Sequence, residues 1–321
     1  MRPYGGTMIS DTAKNILAHA MPGTHLGGAA SLGQRTLLLA LDGRRRVVLR
    51  LGADADAWAG DPLAAEAAAL TALRTEIDLP LPEMLAYDDG SGVGTPYLLC
   101  SHLEGVPLPD ALAEIDEDGR YGLGRELGAM MARVHSYLAA SYGPLNPAIP
   151  PNSRRVSLQP GAQPESRSDD REYLTARFGR GIAAALAVGN LDGTTADELR
   201  GWLDANLAGS GQSASLVHGD LRPERVLLRR REGGWRVAGL VGWGYAQGWR
   251  PAWDHAALME HFTGPDYFGL RVGYGNAYDE TTERRYDQLR EFALLPFRLA
   301  LFLETGRADL AVGLIGQGGA L

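Results

Sequence analysis

The sequence contains very little cysteine and very little lysine. Its single cysteine, Cys100, cannot form an internal disulfide, which fits a reducing compartment such as the cytoplasm. Because Cys100 ends the apolar run Tyr97–Cys100, we interpret it as a small buried side chain. Of the 31 lysine and arginine residues only Lys14 is a lysine, so another residue has to fill any role in a functional site that calls for a lysine.

Long apolar runs and a concentrated basic stripe are also missing. No apolar run approaches the ~20 residues of a membrane-spanning helix, and the sequence does not begin with a charged-then-apolar leader. The net charge of -8 makes nucleic acid a poor partner. The basic runs Arg44–Arg46 and Arg229–Arg231 lie beside glycine-containing turns, so we interpret them as solvated hairpin ends. We therefore expect a cytoplasmic protein that binds neither nucleic acid nor membrane.

What is present is enough apolar sequence for a large core. Hydrophobic residues make up 45% of the 321 residues, which suits one large domain or two coupled lobes. The first third predicts a strand-rich unit with one long helix, and the remainder has apolar residues at helical spacing, so the fold class is α+β. Residues 146–170 are rich in Pro, Ser, Gly and Arg and predict a long loop or an insertion. The predicted helices cover residues 9–20, 61–74, 108–113, 123–139, 171–189, 195–208 and much of the chain after 251, and the predicted strands cover 36–41, 47–51, 84–87, 97–102, 226–228 and 235–241.

The most informative stretch lies between residues 217 and 254. It begins with Val217–Asp220 (Val-His-Gly-Asp), and Arg222 and Arg225 follow before an apolar strand. A second apolar strand then ends in Val241–Trp243, and Pro251–Asp254 (Pro-Ala-Trp-Asp) comes after it. A lone His-Gly-Asp triplet is a weak signal, but the ordered set with these distances is a strong one.

This ordered set resembles the catalytic half of the aminoglycoside phosphotransferase and choline kinase family. The resemblance spans roughly residues 20–310 and implies a two-lobed protein-kinase-like fold. Residues 1–102 would form a small lobe with an antiparallel sheet and one long helix, and residues 103–321 a larger, mainly helical lobe. The resemblance also implies ATP or another nucleotide as the cofactor, and a hydroxyl group of a small molecule as the phosphate acceptor.

Three residues match functional positions of that family. In a kinase-like site, an aspartate orients the acceptor hydroxyl, and a basic side chain held by a helix glutamate fixes the phosphates. Asp220 matches the aspartate, Arg50 the basic side chain and Glu66 its helix partner. Arginine stands where lysine is usual, and it keeps the charge and can bind phosphate through two hydrogen bonds. For Glu66, an exposed helix acid is the alternative interpretation.

Both magnesium ligands of the family pattern are replaced. Arg225 stands where the family has an asparagine, and Gly242 stands where it has an aspartate. Magnesium requires oxygen ligands, which glycine lacks, and the positive charge of an arginine repels it. No shift of register restores either ligand. Glu224 and Asp254 are the acids that could substitute for them, although the family position of Asp254 implies a structural role.

The arginines after Asp220 admit two interpretations. Guanidinium groups can neutralise phosphate directly, so Arg222 and Arg225 could form a metal-free site for an anionic ligand. Alternatively, Arg225 forms a salt bridge with Asp220 or Glu66 and fills the place of the metal. The glycine-rich stretch 23–33 is similarly open, because it fits a nucleotide-covering turn and an ordinary turn equally well.

Three functions are compatible with these residues, and whether the chain is an enzyme is left open. The first is a pseudokinase-type protein that binds a small molecule, a protein or a peptide without transferring phosphate. The second is an ATP-dependent small-molecule O-phosphotransferase with an altered metal site. The third is a repurposed metal-free catalyst in which Asp220 acts as a base beside an arginine-lined anion site. We place the first ahead because both magnesium ligands are missing.

Overall fold

The structure, a computed structural model, describes residues 6–33, 35–43, 45–52, 61–76, 79–139, 142–145, 170–187, 189, 191–206 and 214–276. The predicted loop over 146–170 lies outside the described residues, apart from Asp170, and so does the predicted helical region beyond 276. No helix in the described part is both long and apolar enough to cross a membrane.

Eight α-helices and eleven β-strands occur among the described residues. The helices are α1 (Gly6–Ala20), α2 (Pro62–Glu76), α3 (Leu108–Ala111), α4 (Glu117–His135), α5 (Asp170–Ala187), α6 (Gly193–Asn206), α7 (Ala252–His261) and α8 (Gly264–Asn276). The strands are β1 (Leu26–Gly33), β2 (Thr36–Leu41), β3 (Arg46–Leu51), β4 (Met84–Asp88), β5 (Tyr97–Ser101), β6 (Val106–Pro107), β7 (Gly143–Pro144), β8 (Ser215–Val217), β9 (Val226–Arg231), β10 (Gly234–Leu240) and β11 (Gln247–Trp249).

The first five strands form an antiparallel sheet in the order β1-β2-β3-β5-β4. Apolar side chains leave both faces of this sheet, because successive residues of a strand point to opposite sides. In β5, Tyr97 and Leu99 pack in the cluster that contains α1, whereas Leu98 and Cys100 pack in the larger core that contains α2. The α+β class with an antiparallel sheet is therefore confirmed, but the first third contains two helices of 15 residues each, α1 and α2, and not one long helix.

Cys100 is a small buried side chain, as its apolar neighbours predict. It is 4% exposed, and burial raises the pKa of its thiol to about 12. The nearby charge of Arg50 opposes this shift without cancelling it. A thiol with so high a pKa forms almost no thiolate at neutral pH, so Cys100 is a packing residue.

The glycine-rich stretch before the first predicted strand is itself a strand. Gly27 and Gly28 lie inside β1, which pairs antiparallel with β2, and Gly33 ends it. Both interpretations from the sequence, a nucleotide-covering turn and an ordinary turn, are therefore wrong for this glycine pair. Backbone groups of β2 pair with β1, so the pairing needs no apolar side chains, and the side chains of β1 are largely exposed.

Helix α4 begins and ends earlier than the predicted range of 123–139. The side chain of Asp116 accepts a hydrogen bond from the backbone N–H of Gly119 (2.8 Å) and caps the helix. Glycines in the first turns interrupt the apolar spacing, and this hid the start from the sequence analysis. The helix ends at His135, and Leu138 already forms a bridge to β8.

Two short sheets place the motif residues side by side. In one, β9 lies between β10 and β6, and in the other, β11 lies between β7 and β8. The predicted hairpin of β9 and β10 is present, with the basic run Arg229–Arg231 exposed at its end. The turn after β8 carries His218–Asp220, and the turn after β10 carries Val241–Trp243. These turns meet where the N–H of Val241 donates to the carbonyl of Arg225 (3.0 Å).

Helices α4 and α8 approach each other at a stripe of glycines. The four residues are Gly124 and Gly128 on α4 and Gly269 and Gly273 on α8. A Cβ added at any of them would lie only 2.0–2.1 Å from a backbone carbonyl oxygen of the other helix. The contact also contains an ion pair in which Arg120 Nε donates to Oδ1 of Asp266 (2.9 Å) and Nη2 donates to Oδ2 (2.5 Å). Only glycine allows this spacing.

Gly128→Ala is expected to lower the free energy of unfolding by about 1–3 kcal/mol, because the new methyl group forces the two helices apart. Gly122→Ala is the matched control on the same helix, where an added Cβ meets nothing within 4 Å. Helix propensity should make this control neutral or stabilising by up to about 1 kcal/mol. Urea unfolding followed by circular dichroism measures both variants, and equal effects would contradict the close approach.

Candidate functional site

A buried carboxylate fixes the loop that carries Asp220. Asp254, on α7, has 0% exposure, and its Oδ2 accepts a hydrogen bond from the backbone N–H of His218 (2.7 Å). Its Oδ1 accepts one from the N–H of Gly219 (2.8 Å), and Nε2 of His135 lies 3.0 Å from Oδ2. A buried charge is stable only when it is hydrogen-bonded in this way. The carboxylate is therefore structural, as the family position implied, and it sets the backbone directly before Asp220.

Aromatic side chains complete the support of this loop. The ring of His218 packs against Trp243, with ring centroids 4.5 Å apart, and its Nε2 lies 3.2 Å from the carbonyl oxygen of Val241. Burial lowers the pKa of His218, so the ring is neutral at ordinary pH. On the other side, Nε1 of Trp253 donates to the carbonyl of Gly219 (3.1 Å). The loop thus contacts the turn after β10 on one side and helix α7 on the other.

Asp220 is held by the two arginines that follow it. Nε of Arg222 lies 2.7 Å from Oδ1 of Asp220, and Nη2 of Arg222 donates to Oδ2 at 2.8 Å. Arg225 donates to Oδ2 from Nε (3.1 Å) and from Nη2 (2.7 Å). Both oxygens of the carboxylate therefore contact guanidinium groups. Of the two interpretations of Arg225, the salt bridge with Asp220 is the arrangement that the structure contains.

The charges around Asp220 decide its ionisation. Burial by itself would raise the pKa of this carboxyl group, since its side chain is only 15% exposed. The positive charge of Arg225 and the hydrogen bonds and charge of Arg222 act in the other direction and outweigh burial. The pKa of Asp220 is consequently below its usual value, and a carboxylate with a low pKa is a weak proton acceptor.

Arg225 occupies the space that a side chain at position 242 would need. Gly242 has a φ of 83°, a left-handed conformation that favours glycine. A Cβ built there would lie 2.7 Å from Cδ, 2.8 Å from Nε and 3.0 Å from Cζ of Arg225. A larger residue at position 242 would thus have to displace the arginine. The two departures from the family pattern are in direct contact.

Arg50 and Glu66 form the ion pair that the resemblance implied. Nη1 of Arg50, on β3, contacts Oε2 of Glu66, on α2. Glu66 is 4% exposed, so its interpretation as an exposed helix acid is wrong. Burial and then the positive charge of Arg225 lower the pKa of Arg50. This pair therefore lies close to Arg225 and Asp220, and the structure brings all five predicted site residues, including Arg222, into one region.

The side chains of this region do not suit a magnesium ion. Gly242 supplies no oxygen, and the guanidinium group of Arg225 fills the adjacent space. Of the two acids considered as replacements, Asp254 has both oxygens engaged by His135 and by the loop backbone, and the side chain of Glu224 lies on the exposed surface of the loop. In the part of the chain that the structure describes, no group of three His, Cys, Asp or Glu side chains is arranged to hold a metal.

Sequence reasoning did not assign a role to His135 or to Trp253. The ring of His135 contacts Asp254 and the hydroxyl of Tyr274 (Nδ1 to Oη, 2.9 Å). Trp253 was noted only as part of the Pro-Ala-Trp-Asp sequence. Both residues have charged or polar neighbours in the sequence, so no local pattern marked them as buried, and their partners lie far away in the chain.

The chain is similar to known phosphotransferases over most of its length. The sequence pattern of the phosphotransferase enzyme family matches residues 29–292. The chain is 27% identical over 313 residues to viomycin phosphotransferase of Streptomyces vinaceus, and the match covers 96% of this chain and 99% of that protein.

Solved structures share the fold of this chain. The GDP complex of wild-type aminoglycoside 2'-phosphotransferase-IIIa matches with a TM-score of 0.60 and 16% identity, and 97% of each chain is covered. A thermostable mutant of aminoglycoside phosphotransferase APH(4)-Ia, bound to AMP-PNP and hygromycin B, matches with a TM-score of 0.55 and 17% identity over 96% of this chain and 94% of that one. The expected kinase-like fold is confirmed, and both of these relatives hold a nucleotide.

Asp254→Asn is expected to lower the free energy of unfolding by about 3 kcal/mol or more, because an amide N–H₂ group would face backbone N–H donors in a buried site. Asp197→Asn is the matched control, since Asp197 is exposed and pairs only with Arg200 on the same helix. Its effect should stay below about 1 kcal/mol. Urea unfolding compares the two, and a similar small effect of both would refute the structural role of Asp254.

A double-mutant cycle tests the contact between positions 225 and 242. Gly242→Ala should destabilise the protein by about 2–3 kcal/mol, because it adds left-handed backbone strain and displaces Arg225 from Asp220. In an Arg225→Ala background only the strain remains, so the same substitution should cost about 1 kcal/mol. The measurement is the free energy of unfolding of the four proteins. Additive effects would mean that the arginine does not occupy this space.

Proposed function

Since the chain belongs to the phosphotransferase enzyme family, we propose that it is a pseudokinase-type member of that family. It would bind its ligand in the kinase-like cleft without the family's magnesium-dependent transfer of phosphate from ATP. The observation that carries this proposal is the environment of Asp220, whose two oxygens contact Arg222 and Arg225. Oδ2 of Asp220 accepts hydrogen bonds from both arginines and Oδ1 lies 2.7 Å from Arg222 Nε, so an acceptor hydroxyl would have to compete with guanidinium groups for this aspartate. Its lowered pKa also opposes proton uptake.

The missing magnesium ligands support the same conclusion. Phosphoryl transfer in kinase-like sites relies on metal ions to neutralise charge that develops on the phosphates. Here Gly242 supplies no ligand, and Arg225 brings a positive charge into the space beside it. A metal ion would have to approach that charge before it reached a phosphate. Two features therefore oppose the ordinary reaction: Asp220 is engaged by arginines, and the place of the metal is beside a positive charge.

For the ligand, we favour a small molecule over a protein or a peptide. One relative carries the name viomycin phosphotransferase, and another was solved with AMP-PNP and hygromycin B. Viomycin, ATP and ADP are therefore the first compounds to test on this chain. The single cysteine supports a cytoplasmic location for such a binding protein, and the acidic net charge gives no support to nucleic acid as its ligand.

A second candidate function is an ATP-dependent small-molecule O-phosphotransferase with an altered metal site. The ion pair between Arg50 and Glu66 favours it, because an active kinase-like site uses such a pair to fix the phosphates. A binding protein could retain the pair for the same reason. If this second function is correct, the unmodified chain already transfers phosphate from ATP, and the combination of Arg225→Asn with Gly242→Asp would raise the rate of that transfer.

The third possibility, a repurposed metal-free catalyst, receives less support from the site. It requires Asp220 to act as a general base, and the ideal base has a pKa near the working pH. The pKa of Asp220 is instead lowered, and its oxygens contact Arg222 and Arg225. A substrate would have to displace these arginines before Asp220 could act as a base.

The proposal predicts that the purified protein forms no phosphorylated viomycin from ATP and Mg²⁺ above the level of its Asp220→Asn variant. Mass spectrometry of the antibiotic and ADP release measure the product. The Streptomyces vinaceus viomycin phosphotransferase, assayed in parallel, shows that the conditions permit the reaction. Metal-dependent turnover that disappears in Asp220→Asn would overturn the pseudokinase assignment and establish the second candidate.

A further inference from the structure

Three guanidinium groups and two carboxylates meet in the candidate site. Arg222 and Arg225 contact Asp220, and Arg50 contacts Glu66. The cluster therefore has one positive charge in excess. A site with this balance is suited to an anion, and guanidinium groups bind phosphate oxygens through two parallel hydrogen bonds.

Two of these cations flank the same backbone segment. A Cβ at Gly242 would lie 2.7–3.0 Å from the side chain of Arg225, and a Cβ at Gly244 would lie 3.7 Å from Nη2 of Arg50. Neither position has a side chain that could separate the two cations, although Pro62 also packs against Gly244, with its Cβ 3.1 Å from a Cβ built there. After burial, the charge of Arg225 is the largest influence that lowers the pKa of Arg50, as expected for two neighbouring cations. An anion placed between them would relieve this repulsion.

We propose that Arg225 is an exchangeable cation in the place of a metal: a ligand with two or more linked phosphate groups binds to Arg50 and Arg225 without a divalent cation, and Arg225 moves from Asp220 to the phosphates. This inference rests on the proposed function, because it names the ligand class of the same cleft. It departs from what the family fold implies, since the side chains present do not suit magnesium.

The exchange requires little rearrangement of the aspartate. When Arg225 leaves, Asp220 keeps its two contacts with Arg222, which involve both carboxylate oxygens. The side chain of Arg225 is 32% exposed, so it has room to move. Partly exposed ion pairs stabilise a protein only weakly, whereas a polyphosphate offers several negative charges to the same guanidinium group.

The proposal predicts in which direction Mg²⁺ changes the affinity for the phosphate ligand. In an ordinary kinase-like site the metal bridges the phosphates to protein oxygens and therefore strengthens binding. Here the guanidinium groups and the metal would compete for the same phosphate oxygens. Magnesium should accordingly weaken binding, and a chelator should not abolish it.

The test is calorimetric titration of the full chain with inorganic tripolyphosphate and, separately, with ADP, first in EDTA and then in excess Mg²⁺. Both probes are expected to bind in EDTA, and Mg²⁺ is expected to lower their affinity several-fold. Tighter binding of ADP would identify a nucleotide as the natural source of the phosphates, and equal binding would identify a free polyphosphate. No binding of either probe in EDTA, or affinity that rises with Mg²⁺, would overturn the proposal.

Two variants with opposite expected effects on affinity test the role of Arg225 directly. Arg225→Gln should weaken binding of tripolyphosphate in EDTA at least tenfold, whereas Arg229→Gln, at an exposed hairpin end, should change it less than twofold. Asp220→Asn should tighten binding several-fold, because it removes the group that competes for Arg225. Glu224→Gln removes the same charge from an exposed position of the loop and should have a clearly smaller effect.

These outcomes separate the inference from the proposed function. A protein that binds polyphosphate more tightly with Mg²⁺ but forms no product would remain a pseudokinase, and the exchange mechanism would be wrong. A protein that transfers phosphate with Mg²⁺ yet depends on Arg225 for metal-free binding would refute the pseudokinase assignment and leave the exchange intact. Thermal unfolding of Arg225→Gln checks its fold, and if it does not fold, an Asp220→Asn variant that binds no more tightly than Glu224→Gln still refutes the exchange.

Discussion

The buried carboxylate of Asp254 is the contact on which the geometry of the candidate site depends. Its oxygens hold the backbone of His218 and Gly219, and they also contact His135 at the end of α4. Because a fully buried charge is tolerated only when its hydrogen bonds are satisfied, these contacts fix α4, α7 and the loop relative to one another. Asp220 is the next residue, so its position is set by the fold before any ligand arrives.

Arg225 and Gly242 are best understood as one change rather than two. The arginine side chain fills the space beside a backbone position that has no side chain and a left-handed conformation. The side chain of Arg225 would collide with an aspartate at position 242. Gly242 without an arginine at position 225 would leave that space empty. Their combination gives a packed site in which a guanidinium group neutralises Asp220. A kinase-like fold can therefore be well packed with a glycine and an arginine at these two positions, which agrees with the general rule that fold does not fix chemistry.

Much of the fold and most of the candidate site could be predicted from the sequence. The α+β class follows from strand and helix periodicity, and the order of the motif stretches pointed to Asp220, Arg50 and Glu66. The periodicity is local, because it depends on residues that are near one another in the chain. The three site residues were instead assigned by the family resemblance, whose stretches lie far apart in the chain. The replacement of both magnesium ligands is what the family resemblance implies for positions 225 and 242, and it stays a prediction; its chemical basis is that neither a glycine nor an arginine can supply the side-chain oxygen that the metal requires.

The tertiary structure decided the features that depend on residues far apart in the chain. The sequence left two roles open for Arg225, and only the packing of the loop against Gly242 places its guanidinium group on Asp220. The glycine pair in β1 gave no strand signal, because its pairing uses backbone groups of β2 rather than apolar side chains. The role of Asp254 also depended on the tertiary structure. Its residue type was visible in the sequence, but its partners come from separate elements, so only the folded chain brings them within hydrogen-bonding distance.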